Sequence, residues 1–137
     1  MKKKTIRVAG LLCLVCVVAG GIVGYRMYNK PHRSAASETA VELTAQRLAA
    51  DYEKDEAVAN KKYLDKAVQV SGTVSEISFN QQNKPVIVLM GANMSGVQCT
   101  LQEDAKSVRK GDSITIKGFC TGYLTDVILD RCILDSK

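Results

Sequence analysis

Acidic residues are absent from the first 33 positions, which hold seven of the 19 Lys and Arg residues. The 104 residues that follow carry the other 12 cations and all 14 Asp and Glu, a net charge of −2. The formal +5 of the chain is therefore a property of its N-terminus. A mildly acidic remainder argues against phosphate-driven nucleic-acid binding, whose affinity comes largely from neutralising many phosphates. Histidine occurs once, as His32, in the polar stretch NKPHRSAAS. No Ser or Cys nucleophile beyond that stretch thus has an imidazole base, and no Cys/His set has the spacing of a structural zinc site. A Gly-rich phosphate loop is also missing, because Gly91, Gly96, Gly111 and Gly118 are dispersed as punctuation between polar and apolar runs. These absences predict no catalytic residues, no cofactor and no metal.

What the N-terminus does have is an unbroken apolar run, Val8 to Tyr25, of 18 residues without a charge. As a helix it would be roughly 27 Å long, close to the hydrocarbon thickness of about 30 Å. It shows no polar face of the kind a helix on a soluble core would have. The reading is a cytoplasmic stub over 1–7, a transmembrane anchor over 8–25 and a tether over 26–38. A cleaved signal sequence is the alternative, since Ala19-Gly20-Gly21 offers small residues for a cleavage site. Ile22 to Tyr25 continue the apolar run past that point and favour a retained anchor. Lipid attachment at Cys13 or Cys16 is poorly supported, because Leu12 and Val15 stand where small residues are needed. Gly20 and Gly24 form a GxxxG pair of the type that lets two anchors pack. Lys2, Lys3, Lys4 and Arg7 precede the run, and positive flanks are retained in the cytoplasm. The following domain, 39–137, is thereby expected outside the cytoplasm.

In that domain Thr39-Ala-Val-Glu42 fits a capping box, and Val41, Ala45, Leu48 and Tyr52 follow on one helical stripe. Asp55 can cap a second short helix, EAVANKKY. After Lys66 the period changes from 3.6 to 2: Val68, Val70, Gly72 and Val74 alternate with polar residues, as in a strand. Gly72 suits a bend in that strand. The runs VIVLM, VQCTL, Ser113 to Phe119 and VILDRCIL read as four more strands. SFNQQNKP, GANMSG and TGYLTD connect them as loops, and EDAKSVRKGD reads as a short helix or turn. Five short strands with a helical link between the third and fourth give a mainly β fold, a five-stranded OB-fold Greek-key barrel preceded by one or two short helices. An SH3-like barrel is the nearer competitor, and a parallel sheet lacks the helices it would need between the first three strands.

The segments VSGTV, GVQCTL, RKGDSITIKGFCTG and DVILDRCIL resemble bacterial OB-fold proteins related to the tRNA anticodon-binding domain. The resemblance covers about Leu43 to Leu134. It implies the OB-fold and, since many members are described as lipoproteins or secreted proteins, an envelope location; it implies no activity.

In an OB barrel the usual ligand surface is the face of the second and third strands with two flanking loops. Here this points to a rim of Phe79, Asn80, Lys84 and Tyr123. Two aromatics and one or two lysines are few for the stacking and phosphate track of an oligonucleotide site. The partner expected at the rim is a protein or a small ligand, and the N-terminal helix is expected to partner the membrane. A single-stranded nucleic-acid module is the alternative, and an envelope assembly protein using the Val41–Tyr52 helix is a second one. Cys120 and Cys132 fall on neighbouring strands and can be read as a disulfide or, like Cys99, as buried free thiols.

Overall fold

The computed structural model describes residues 2–29 and 33–135; His32 of the sequence reading lies outside them. The chain divides into two units, residues 1–32 and 33–137. The first is one helix, α1, Lys2–Tyr28. Within its candidate span, Lys3–Tyr28, an 18-residue window has a mean hydropathy of 2.5. Its apolar side chains are exposed all round, Val17 to 73%, so within this unit nothing covers them. One helix in the described residues is therefore long and apolar enough to cross a membrane.

The second unit is a closed barrel. Its elements are β1 (Val41–Thr44), α2 (Ala45–Lys54), α3 (Glu56–Tyr63), β2 (Ala67–Phe79), β3 (Pro85–Leu89), β4 (Val97–Leu101), β5 (Ser113–Tyr123) and β6 (Val127–Leu134). The pairing order is β1-β2-β3-β4-β6-β5, and β2–β5 closes the ring. β2 is long enough to serve two neighbours: Ala67 to Thr73 pair with β5, and Val74 to Phe79 pair with β3. β4 and β6 run parallel, the other ring pairings antiparallel. This is the five-stranded OB barrel that the sequence predicts, with one strand added at an edge. The alternation legible in the sequence becomes the core, where Val68, Val70, Ile87, Leu89, Val97, Cys99, Ile116 and Leu129 are all fully buried.

One expectation about helices is corrected, and one stretch left open between helix and turn is decided. Thr39 does not start one. Val41–Thr44 is instead a parallel strand on β2, with Leu43 opposite Val70, and the helix begins at Ala45. Thr44 is its cap, its hydroxyl accepting from the Arg47 amide at 3.2 Å. A cap moved five residues along leaves the preceding backbone free to pair with the β2 edge. The stretch EDAKSVRKGD forms turns, with no helix. Asp112 draws it closed by accepting from the Arg109 amide at 2.8 Å, a local side-chain bond that competes with helix formation. The second helix starts as expected: the Asp55 carboxylate accepts from the Val58 amide at 3.1 Å.

Cys99, Cys120 and Cys132 are buried free thiols. Cys120 sits opposite Leu129 and Cys132 opposite Leu101, while the Cys132 sulfur packs against Gly118. Cys120 and Cys132 thus lie on a diagonal of the β5–β6 ladder. Diagonal neighbours stand about 7–8 Å apart, beyond the Cα separation of about 4.4–6.8 Å that a disulfide needs. Alkylation of the denatured chain without reductant is expected to label all three, read by intact mass. A Cys120–Cys132 bridge, located by peptide mapping after differential alkylation, would contradict this register.

Candidate functional site

The face on which OB barrels usually bind is built here by β3 and β4, and its chemistry follows from their alternation. Ile87, Leu89, Val97, Cys99 and Leu101 turn into the core. Val88, Gln98 and Thr100 occupy the intervening positions, with Val88 opposite Gln98. Neither strand contains an aromatic, a Lys or an Arg. The charged neighbours are Glu76, opposite Val88 on β2, and Asp130 on β6, both exposed.

The functional groups gather at the end of this face, where the β2–β3 loop closes. Asn80 shapes that loop: its side-chain oxygen accepts from the amides of Gln82 at 3.0 Å and Lys84 at 2.9 Å. Asn83 takes the left-handed conformation, φ 58°, which Asn adopts at less cost than most residues. The result is a cleft of about 210 Å³ lined by Asn80, Gln82, Lys84, Thr100, Gln102, Asp130 and Arg131 among others. Its lining offers two cations, one carboxylate and several amides or hydroxyls. Such a surface suits a polar partner with charge of both signs. Among the described residues no group of three or more His, Cys, Asp or Glu side chains could hold a metal ion.

Two of the four residues expected at the rim line this cleft, and a third, Phe79, adjoins Asn80. Asn80 and Lys84 line the cleft. Phe79 ends β2 opposite Pro85 and is 65% exposed. Tyr123 is elsewhere. It pairs with Val127, which neighbours Val97 at the start of β4, whereas the cleft reaches the far end of that strand. Its ring stacks on Tyr52 of α2, centroids 5.5 Å apart. Tyr123 is thus part of the packing between helix and barrel. Tyr52 also meets Tyr63, centroids 6.2 Å apart, and its hydroxyl lies 3.2 Å from the Cys120 sulfur. Burial raises the Tyr52 phenol and the Cys120 thiol above their ordinary values. The Tyr63 phenol is pushed up to about 12, by burial and by its 2.6 Å hydrogen bond to Asp51. These groups stay protonated at neutral pH and act as packing.

Asp130 and Arg131 are the charged cleft residues that sequence reading missed. β6 carries one extra residue against β4, between the pairs Cys99–Leu129 and Leu101–Cys132. Arg131 takes φ 50° at this bulge. The signal was present as a break in period: buried Leu129 and Cys132 are three apart where alternation requires two.

The tRNA_anti-like family model matches residues 1–134, the apolar helix as well as the barrel. The chain belongs to the tRNA_anti-like family. Among solved structures, a "putative nucleic acid-binding lipoprotein" from Klebsiella pneumoniae superposes with a TM-score of 0.54. The match is 14% identical and covers 69% of this chain and 92% of that one, so the two share a fold. A "putative aspartyl-tRNA synthetase" from Leishmania major gives a TM-score of 0.44 at 10% identity, over 87% of this chain and 26% of that one. No curated protein matches the chain by sequence.

Proposed function

We propose that this tRNA_anti-like protein is a non-catalytic binding module anchored in a membrane by α1. Its barrel works outside the cytoplasm and offers the β2–β3 cleft to a protein or a small polar ligand. The observation that carries this reading is the composition of the binding face: β3 and β4 lack aromatics and cations, Glu76 and Asp130 border them, and the two nearby cations, Lys84 and Arg131, are confined to the cleft at one end. A single strand of nucleic acid would find no stacking platform there and would meet carboxylates beside its phosphates. Lys2, Lys3, Lys4 and Arg7 ahead of α1 support retention of the N-terminus in the cytoplasm. The length and uniform apolarity of α1 support an anchor that stays in place.

The oligonucleotide reading has one support, the description of the Klebsiella protein, and Phe79 with Lys84 would have to carry it. Titration of labelled single-stranded DNA and RNA separates the two. No salt-sensitive binding that depends on Phe79 or Lys84 is expected; binding that Phe79→Ala and Lys84→Ala both weaken would overturn the proposal.

A further inference from the structure

The β2–β3 cleft holds two charges of opposite sign that nothing in the barrel neutralises. Lys84 and Asp130 both line it, and both are exposed. Among the described residues neither side chain takes part in an ion pair or a hydrogen bond, and the two do not pair with each other. Arg131, the third charged residue of the lining, is committed elsewhere. Its guanidinium lies 4.4 Å from the Phe119 ring centroid and donates to the Arg33 carbonyl at 3.5 Å. The cleft is thus left with one free ammonium and one free carboxylate.

The backbones that carry these charges are held, while the side chains are not. The Lys84 amide donates to Asn80 Oδ1 at 2.9 Å, and the Lys84 carbonyl accepts from the Asn80 amide at 3.0 Å. Asp130 stands opposite Phe119 on β5, beside the bulge at which Arg131 takes φ 50°. Loop and bulge therefore fix where each charge starts, and a ligand does not have to order the backbone at either end.

The rest of the polar lining includes the neutral residues Gln82, Thr100 and Gln102. Their side chains bond no other protein group among the described residues, and each can both donate and accept. A bare amino acid would leave them to water, whereas a peptide bond presents an N–H and a C=O to pair with them. The cleft, at about 210 Å³, is smaller than the roughly 300 Å³ at which pockets for drug-sized ligands begin. Its occupant is therefore small.

We propose that this cleft binds a free dipeptide as its zwitterion, with the α-ammonium on Asp130 and the α-carboxylate on Lys84. Gln82, Thr100 and Gln102 meet the peptide bond. Both charges of the ligand are used, so a segment of a longer chain, which brings at most one of them to the cleft, is the weaker ligand. This rests on the reading of the cleft as the ligand site.

Backbone-amide NMR of the full chain in dodecyl maltoside micelles, titrated with alanylalanine, tests it. The amides of Gln82, Lys84 and Asp130 should shift with a dissociation constant in the millimolar range, as expected for so small a ligand. N-acetylation and C-terminal amidation of the dipeptide should each weaken binding by about threefold or more, the scale of an exposed ion pair. Asp130→Asn should weaken the free dipeptide by a similar factor and add no further loss to the N-acetyl form. Lys84→Gln should do the same for the amidated form. Both side chains are exposed, and the dispersion of the same spectra reports that the barrel stays folded. Equal affinity for free and capped dipeptides, or no shift up to about 50 mM alanylalanine, would overturn this inference and leave the cleft reading standing. Shifts centred on another face, such as that of Tyr123, would overturn both.

Discussion

Replacing Gly91 with alanine will destabilise the barrel by about 3 kcal/mol or more, at the upper end of overpacking costs. Gly91 follows β3, where the chain turns back toward β4 beneath the end of α2. A Cβ there would run into the Ser95 carbonyl oxygen, and it would stand 2.8 Å from the Ala49 Cβ and 3.0 Å from the Gly96 Cα. None of these is the free end of a flexible side chain. The loop cannot yield easily, because its far side is clamped to the helix. Glu53 accepts hydrogen bonds from Asn93 Nδ2 at 2.6 Å, from the Ser95 amide at 3.3 Å and from the Ser95 hydroxyl. Gly96 donates to Asp126 at 2.7 Å. An added methyl group has to part α2 from the loop or tear this clamp. Urea unfolding of the detergent-solubilised chain, followed by near-ultraviolet circular dichroism, measures the effect. A midpoint within error of the parent would mean that this packing is looser than described.

Truncating Tyr52 is the second large effect. It is the largest fully buried side chain of the barrel unit, 1% exposed, and it joins α2 to two other elements, through Tyr63 of α3 and through Tyr123 and the Cys120 thiol of β5. Tyr52→Ala should cost about 3–5 kcal/mol, the range for losing a buried aromatic. Tyr52→Phe should cost about 1 kcal/mol or less, because the hydroxyl meets only a weak thiol partner. The ratio of the two separates ring packing from hydrogen bonding. Equal losses in the same urea assay would place the energy in the hydroxyl and contradict the stacked arrangement.

How far the fold could be read in advance depended on how local each cause was. The strands were legible because their period-2 burial is written in consecutive residues, Val68-Gln69-Val70 and Val97-Gln98-Cys99-Thr100-Leu101. Asp55 was legible because its capping bond closes within three residues. Thr44 and Thr39 both offer a capping hydroxyl, and the choice between them is made by β2, whose free edge takes Val41–Thr44. No local pattern carries that information. Tyr123 illustrates the same limit: an aromatic in a hairpin loop looks exposed until α2 brings Tyr52 beneath it. The cleft was half legible. Asn80 and Lys84 sit in a polar loop that announces itself, whereas Asp130 and Arg131 reach the site through a bulge defined against β4.

Whether the binding face of this tRNA_anti-like barrel reads nucleic acid is measured by fluorescence anisotropy. Labelled single-stranded DNA and RNA are titrated with the detergent-solubilised chain at about 50 and 200 mM salt, an interval over which phosphate-driven complexes lose orders of magnitude in affinity. Any residual binding, carried by the cationic N-terminus, should be unchanged by Phe79→Ala and Lys84→Ala. Micromolar binding that collapses with salt and is weakened by both substitutions would contradict it.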